Sequence, residues 1–344
     1  GLAFRFVDPD ASASAGAIAE LIRAEYTSAE AMAAARDCDV VTFEFENVPV
    51  AAARELARNV MFLPPPEALE VAQDRLLEKT CFVELGIETP RFEAVASPEE
   101  LDRALERIGT PAVLKARRQG YDGKGQSAID APARSRQAWE RAGSSAAEHG
   151  FIVEQLVAFE RELSIIAVRG RNGETRTYPL IENHHAGGIL SFSVTPAPRL
   201  TAELQSVAAD YAARLLARFD YVGVLTLELF DVGGRLLANE FAPRVHNSGH
   251  LTIEGAETSQ FENHLRAILG FPLGSTRVPR PAGMLNLIGT MPERARLLEV
   301  DGAHLYDYGK APRAGRKLGH VTLCRDTTDA VLHELESSKR ALDE

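Results

Sequence analysis

A short glycine-rich segment with basic neighbours is the part of the sequence best suited to holding a phosphate. Residues 120–126 read Gly-Tyr-Asp-Gly-Lys-Gly-Gln, and Lys115, Arg117, Arg118 and Lys124 lie in or just before them in a chain of net charge −11. Glycines let backbone N–H groups approach an anion closely, and clustered lysines and arginines bind polyphosphates. A plain hairpin loop explains the glycines alone, but the basic neighbours favour a polyphosphate cradle. The GxxxxGK[ST] spacing is absent, which disfavours a P-loop.

Two glutamates on neighbouring apolar strands could hold a metal ion. Glu228 lies within one strand, and Glu240 follows Asn239 at the end of the next, after a turn at residues 231–234. An antiparallel pair would bring the two acids together, and carboxylate oxygens suit a Mg²⁺ shared with nucleotide phosphates. Alternation would leave a lone glutamate facing solvent, but its pairing with Asn239 and Glu240 favours the metal site.

The segment that follows is rich in hydrogen-bond donors. Residues 241–250 contain Arg244, His246, Asn247, Ser248 and His250 among small residues. The HExxH pattern is absent, and glycine, serine and asparagine between the histidines make a zinc-binding helix unfavourable. Anion binding is the better chemical use of these donors, with an ordinary hydrogen-bonded turn as the alternative.

Several acidic and histidine positions fit a nucleotide site less specifically. Residues 154–157, Glu-Gln-Leu-Val, end one strand and Glu162 opens the next, so that both could contact an adenosine. Exposed glutamates are the commoner explanation for each acid. His184 and His185 precede a Gly-Gly pair, where a phosphate contact and a decorated loop are equally good interpretations.

Two further clusters lie near the chain ends. Residues 313–317 carry three basic side chains and a glycine, which fits either a solvated turn or an anion site. Near the start, alternation with phenylalanines predicts that three polar residues share one strand face, at the sheet edge where ligands collect in α/β proteins. A half-exposed strand is the alternative. The three residues are Thr42, Glu44 and Glu46.

The length of the chain and its proline-rich interruptions predict three domains. A chain of 344 residues exceeds one ordinary core, strands and helices alternate from the start, and the Pro64-Pro65-Pro66 run interrupts them. We therefore predict an N-terminal α/β domain over residues 1–70. Residues 71–271 form a predicted α+β domain, and residues 272–344, after a proline-rich link, a small C-terminal domain that ends in a helix from about Asp326.

Composition excludes several classes of protein. An acidic excess argues against nucleic-acid binding, and no apolar run approaches the length of a membrane span, so no membrane association is expected. Cys38, Cys81 and Cys324 lack the spacing of zinc, redox or disulfide frameworks, which favours a reducing cytoplasm.

Taken in order, these segments resemble the N5-carboxyaminoimidazole ribonucleotide synthases, ATP-grasp enzymes of microbial purine synthesis. The resemblance runs from Thr-Phe-Glu-Phe-Glu-Asn-Val at residues 42–48, through residues 120–126 and 243–250, to Gly-Arg-Lys-Leu-Gly-His at residues 315–320. It implies an ATP-grasp fold, of mixed α/β and α+β class, preceded by a Rossmann-like pre-ATP-grasp domain and followed by a small C-terminal one. The family begins with a strand and a Gly-Gln-Leu-Gly-type turn, and this sequence starts after that point. Lys124 stands where arginine is common.

The resemblance also implies roles for individual residues. ATP would be bound by Arg75, Lys115, Gly120, Tyr121, Asp122, Gly123, Lys124, Gly125, Gln126, Glu154, Gln155, Leu156, Val157, Glu162, His185, Asn239 and Glu240. Mg²⁺, or Mn²⁺ in its place, would be held by Glu228 and Glu240. The ribonucleotide and bicarbonate would face Glu46, Arg244, His246, Asn247, Ser248, Arg316 and Lys317. Catalytic roles would fall to Tyr121, Asp122, Lys124, Arg244 and Lys317.

The implied reaction is the carboxylation of 5-aminoimidazole ribonucleotide by bicarbonate, activated as carboxyphosphate at the expense of ATP, in a homodimer. Another ATP-grasp ligase, such as a formate-activating transformylase or a biotin-dependent carboxylase, would share the nucleotide clamp and differ in the substrate segment. A catalytically silent nucleotide-binding protein would keep the clamp without turnover.

Overall fold

The computed structural model of the chain describes residues 1–118, 125–142 and 149–343. Its strands are Arg5–Asp8 (β1), Glu20–Arg23 (β2), Phe92–Val95 (β3), Ala112–Ala116 (β4), Gln126–Ile129 (β5), Phe151–Gln155 (β6), Arg161–Arg169 (β7), Thr175–Thr177 (β8), Ile181–Ala186 (β9), Ile189–Thr195 (β10), Gly223–Val232 (β11), Arg235–Ala242 (β12), Ala282–Ile288 (β13), His304–Asp307 (β14) and Lys317–Cys324 (β15). Its α-helices are Ala29–Arg36 (α1), Val50–Ala57 (α2), Pro66–Ala72 (α3), Arg75–Glu84 (α4), Pro98–Ile108 (α5), Ser135–Ala142 (α6), Ala202–Arg218 (α7), Thr252–Gly255 (α8), Gln260–Leu269 (α9), Arg294–Leu297 (α10) and Thr328–Asp343 (α11).

The N-terminal region is α/β, but the strand predicted at residues 42–46 is wrong. β1 pairs in parallel with β2, and Val41 makes a single parallel bridge to Phe62. Residues 42–46, which follow that bridge, belong to no strand. Their polar groups are taken by other elements: the Thr42 hydroxyl lies 2.9 Å from His264 Nε2, and the Glu46 carbonyl accepts a hydrogen bond from Gln73. A shared strand face for Thr42, Glu44 and Glu46 therefore does not form.

A four-stranded antiparallel sheet follows, in the order β3-β6-β4-β5. Helix α5 covers it because Leu101, Ala104, Leu105 and Ile108 recur at helical spacing and are all buried. Pro98 at the first helical position and the Ser97 hydroxyl, which accepts from the Glu100 N–H, start this helix. We call this unit the small sheet.

The remaining strands form one large sheet of nine strands, in the order β12-β11-β7-β9-β10-β13-β15-β14 with β8 beside β7. Helices α4 and α7 pack on one face of it. Helix α9 packs on β7 and β11, and α11 covers β13. The predicted proline-rich link at residues 272–281 therefore connects two parts of a single continuous sheet.

Within the described ranges, the helices all lack either the length or the apolar character that a membrane-spanning segment requires.

Candidate active site

A cavity of about 670 Å³ lies where the small sheet, the large sheet and the N-terminal region meet. Most of the residues that the sequence singled out line it: Glu46, Arg75, Lys115, Gln126, Glu154, Gln155, Leu156, Val157, Glu162, His185, Glu228, Asn239, Glu240, Arg244, His246, Asn247 and Lys317. The predicted site residues Gly120, Tyr121, Asp122, Gly123 and Lys124 lie outside the described part of the chain.

Three of the predicted site residues do not line the cavity: Gly125, Ser248 and Arg316. Gly125 has a left-handed φ of 71° and accepts a backbone hydrogen bond from Ala116, so that it leads into β5. Ser248 is fully buried. Arg316 donates to the Ala311 carbonyl at 3.4 Å, within its own loop.

The two predicted metal ligands lie directly opposite each other. Glu228 on β11 pairs with Glu240 on β12, and the register then shifts so that Asn239 is an extra residue, a β-bulge. Like charges at opposed positions repel, and burial together with Glu228 raises the pKa of Glu240. Such a pair is stabilised by a cation. The oxygen donors fit Mg²⁺, which proteins usually bind with one or two carboxylates plus phosphate oxygens. In the described residues, no cluster of three or more His, Cys, Asp or Glu could hold a metal.

His246 connects the metal pair to the donor-rich segment. Its Nε2 lies 3.0 Å from Glu228 Oε1. Burial pushes the pKa of Glu228 upward, but the hydrogen bond from His246, together with the charges of His185 and Lys317, outweighs burial and lowers it. Glu228 is therefore the carboxylate of the pair that stays ionised more easily.

A buried charge cluster forms the floor of the cavity on the side of the small sheet. Glu154 Oε2 lies 3.1 Å from Lys115 Nζ and 3.4 Å from Lys79 Nζ. Burial raises the pKa of Glu154, yet the two lysines outweigh burial and lower it to about 2. The other oxygen, Oε1, is buried without a hydrogen-bond partner among the described residues. It is therefore available to a donor on a ligand.

Two of the basic residues before the glycine-rich segment bind a carboxylate. Arg117 makes two hydrogen bonds to the Asp74 carboxylate, at 2.8 and 3.1 Å, and Arg118 adds a third at 3.1 Å. These bonds outweigh burial and lower the pKa of Asp74, which also caps helix α4. Arg117 and Arg118 therefore fix the start of α4, and Arg117 also lines the cavity; the phosphate cradle stays a prediction.

Glu162 and His185 form an ion pair across β7 and β9. Burial alone would lower the pKa of His185, but the hydrogen bond to Glu162 and the charges of Glu162 and Glu228 together outweigh burial and raise the pKa. Both side chains line the cavity, which makes them a hydrogen-bonding pair for a hydroxyl or phosphate.

The N-terminal and C-terminal regions each contribute to the far end of the cavity. Arg244 binds one oxygen of Glu46, at 2.7 and 3.1 Å. The side-chain amides of Asn247 and Asn286 exchange two hydrogen bonds, at 2.7 and 3.2 Å. A register shift on β15 follows Lys317, and such bulges re-aim side chains beside active sites. All three regions of the chain are thus needed to complete the cavity.

Sequence reasoning missed several residues that line the cavity. Glu78 is buried and accepts from the Phe241 N–H at 2.7 Å, while burial and Glu240 raise its pKa well above the ordinary value. Phe159 and Phe230 stack at 4.7 Å in the cavity wall. The sequence could have predicted that Phe230 faces the cavity, because Phe230 lies two residues after Glu228 and so on the same face of β11. Nothing in the sequence marks Glu78.

Models of known domain families match three segments of the chain. A ribonucleotide synthetase preATP-grasp domain matches residues 1–73, an ATP-grasp domain residues 80–261, and a phosphoribosylaminoimidazole carboxylase C-terminal domain residues 282–334. An N5-carboxyaminoimidazole ribonucleotide synthase of Pseudomonas aeruginosa is 50% identical over 98% of this chain and 93% of its own length. One of Bacillus subtilis is 40% identical over 96% of this chain and 87% of its own.

Solved structures of the same name have the same fold. The N5-carboxyaminoimidazole ribonucleotide synthetase of Thermus thermophilus superposes with a TM-score of 0.93 and 52% identity, over 99% of this chain and 92% of that one. The enzyme of Aspergillus clavatus, solved with ADP and 5-aminoimidazole ribonucleotide, gives a TM-score of 0.89 at 27% identity, over 98% and 91% of the two chains.

Proposed function

The chain belongs to the N5-carboxyaminoimidazole ribonucleotide synthases, with the ATP-grasp fold, and we propose that its cavity joins bicarbonate to the amine of 5-aminoimidazole ribonucleotide at the expense of ATP. It is an ATP-dependent carbon–nitrogen ligase of purine biosynthesis. The observation that carries the assignment of the site is the opposed pair of Glu228 and Glu240 in one cavity with Lys115 and Arg244.

The nucleotide would lie between the two sheets. The unpartnered Oε1 of Glu154 is a hydrogen-bond acceptor, which suits the 6-amino group of adenine and disfavours the 6-oxo group of guanine. The stacked Phe159 and Phe230 supply an apolar wall. Lys115 and Arg75 would face the phosphates. Gln155 to Val157 would supply backbone contacts to the base, and Glu162 and His185 contacts to the ribose or phosphates.

Glu228 and Glu240, with Asn239 beside them, would hold Mg²⁺, and Mn²⁺ would fit the same oxygens. When bound, the cation supplies positive charge to the β- and γ-phosphate oxygens.

In the first step, a bicarbonate oxygen attacks the γ-phosphorus, a new P–O bond forms, and ADP leaves. Lys115, with Arg244 and Lys317 at the far end of the cavity, would stabilise charge on the transferring oxygens. In carboxyphosphate one oxygen bridges carbon and phosphorus. The bond between carbon and this bridging oxygen then breaks, which gives phosphate and CO₂. The amine nitrogen attacks the CO₂ carbon and loses a proton, which yields the carbamate. Exclusion of water from the cavity during the reaction would protect the intermediate.

The ribonucleotide would occupy the end of the cavity where three regions meet. Arg244, Asn247 and Lys317 line that end, and Glu46 reaches it from the N-terminal region. We propose that Arg316 contacts the ribonucleotide phosphate from the adjacent loop, and that Ser248 acts indirectly, through His246. Roles for Tyr121, Asp122 and Lys124 remain part of the proposal on the family resemblance alone.

The test is phosphate release from ATP together with product detection by ¹³C NMR in ¹³C-bicarbonate. We expect phosphate release only when the ribonucleotide and bicarbonate are both present, with ¹³C appearing in a carbamate. Release that the ribonucleotide does not stimulate, or ¹³C that stays in bicarbonate, would contradict the proposal.

We also propose a cytoplasmic homodimer. The three cysteines are free thiols, as in a reducing compartment. Light scattering would measure the mass in solution, and fractionation of cells would locate the protein; a monomer or an exported protein would refute the respective statement.

A further inference from the structure

A row of polar side chains crosses the large sheet beneath the proposed metal pair. Ser193 on β10 lies opposite Asn183 on β9, and Ser164 on β7 lies opposite Glu228 on β11. Glu228 in turn lies opposite Glu240. Ser193, Asn183 and Ser164 are all buried. The residues around Ser164, from Leu163 to Val168, are otherwise apolar and buried, so that the row is a polar exception within an apolar sheet.

Hydrogen bonds join this row to His246. Ser193 Oγ donates to Asn183 Oδ1 at 2.8 Å, and Asn183 Nδ2 donates to Ser164 Oγ at 3.0 Å. Ser164 Oγ lies 2.9 Å from Ser248 Oγ, which lies 2.9 Å from His246 Nδ1. The chain of contacts reaches the metal pair through His246 Nε2 and Glu228. We call these four residues, Ser193, Asn183, Ser164 and Ser248, the serine–asparagine relay.

One contact fixes the direction of the whole relay. The backbone N–H of Ser248, which can only donate, points to His246 Nδ1 at 3.3 Å. Nδ1 must therefore carry a lone pair, so that the proton of a neutral ring lies on Nε2 and is donated to Glu228. The Ser248 hydroxyl can then donate to Nδ1 while it accepts from Ser164.

The backbone around His246 is held as firmly as its ring. The Gln260 side chain accepts from the His246 N–H at 3.0 Å and donates to the His246 carbonyl at 2.6 Å. Gln260 is fully buried. The ring therefore has little freedom to rotate away from either Ser248 or Glu228.

We propose that Ser248, Ser164 and Asn183 are positioning residues that hold the His246 ring with Nδ1 as an acceptor facing Ser248 and the Nε2–H directed at Glu228. The consequence for catalysis rests on the proposed function, in which Glu228 is a ligand of the cation. A fixed hydrogen bond to Oε1 of Glu228 restricts the rotation of this carboxylate and leaves its other oxygen for the cation. Residues that orient a ligand in this way are typically worth about 10–100-fold in metal affinity or activity.

The first test needs no substrate. ¹⁵N-histidine-labelled protein, free of nucleotide and metal, gives two-bond ¹H–¹⁵N correlations that report which ring nitrogen is protonated. The His246 signals are assigned by their loss in His246→Asn. In the neutral form of the ring, reached by raising the pH, we expect an unprotonated Nδ1 and a protonated Nε2. A neutral ring with its proton on Nδ1 would overturn the proposal even if the protein turns out to be the expected ligase.

The second test measures kinetics. Ser164→Ala and Ser248→Ala are expected to lower kcat by about 10–100-fold and to raise the Mg²⁺ concentration for half-maximal rate, with little change in KM for ATP. Ser191→Ala is the matched control, because Ser191 is a buried serine on the same strand as Ser193 and is not a member of the relay. Unchanged kcat in both relay variants, or an equal loss in Ser191→Ala, would refute the proposal.

The outcomes separate the relay from the function. A wild-type protein with the expected His246 tautomer but no ¹³C incorporation would contradict the proposed reaction and leave the relay standing. A ligase with the wrong tautomer would do the reverse.

Discussion

Replacing Lys79 by methionine is expected to destabilise the small sheet by about 2 kcal/mol, because it leaves the buried Glu154 with one cation fewer. Lys79 and Glu154 are 1% and 2% exposed. The fall in the pKa of Glu154 from 4.5 to about 2 corresponds to about 3 kcal/mol shared among all the cations around it. Lys115 remains within 3.1 Å, so that the loss should be below the roughly 3–5 kcal/mol of a buried charge with no partner left.

Methionine isolates the charge effect. It nearly matches lysine in length, and the Ala238 carbonyl that Lys79 contacts keeps the Thr89 hydroxyl as a donor at 2.8 Å. Trp139 is the one tryptophan of the chain, and its ring centroid lies 4.8 Å from that of Phe151. Phe151 is on β6, the strand that carries Glu154. The fluorescence of Trp139 therefore follows unfolding of the small sheet in urea.

The matched control is Lys79→Met combined with Glu154→Gln, which should recover most of the lost stability because the buried carboxylate is removed and Lys115, at 16% exposure, keeps some contact with solvent. The stability that Glu154 contributes depends on pH. Its pKa is lowered in the folded state, so ionised Glu154 stabilises the fold fully above about pH 5, and this stabilisation is lost as the pH falls towards 2. Glu154→Gln should remove that part of the acid sensitivity. A change below about 0.5 kcal/mol in Lys79→Met, in the range of ordinary surface substitutions, would refute the reasoning.

Three more predictions concern the site directly. Glu240→Gln keeps the shape of the pair but removes one ligand charge, so kcat for phosphate release should fall by roughly 100-fold or more with a higher Mg²⁺ requirement; unchanged Mg²⁺ dependence would exclude a ligand role. Arg244→Lys loses the forked contact with Glu46, and KM for the ribonucleotide should rise about tenfold while KM for ATP stays constant; initial-rate kinetics distinguish the two. A Cβ at Gly249 would collide with Ile166 Cδ1, so Gly249→Ala should lower the unfolding free energy by about 1–3 kcal/mol; an unchanged melting curve would contradict this packing.

The sequence was sufficient where function depends on neighbouring strands. Glu228 and Glu240 lie on either side of a Gly233-Gly234 turn, so a hairpin brings them together whatever the rest of the chain does, and the structure has them directly opposite. The C-terminal helix and the strand that ends near Lys115 were likewise predictable from local pattern.

The sequence was insufficient where a partner comes from far along the chain. Alternation at residues 42–46 has the pattern of a strand, but His264 and Gln73 compete for the polar groups of that segment. The ion pairs that Arg117 and Arg118 make with Asp74, more than forty residues earlier, have no local signal in the sequence. Such pairings depend on tertiary contacts that no window of residues contains.

The continuity of the large sheet bears on how the chain can be shortened. β13 covers the edge of β10 through four paired residues, from Phe192 opposite Leu285 to Thr195 opposite Ala282. Removing residues 272–344 would turn β10 into an exposed, largely apolar edge, and such edges add strands from other molecules. The C-terminal region therefore covers the edge of β10 and prevents it from pairing with other chains. A truncated chain should aggregate through β10 rather than remain a smaller soluble ATP-binding unit.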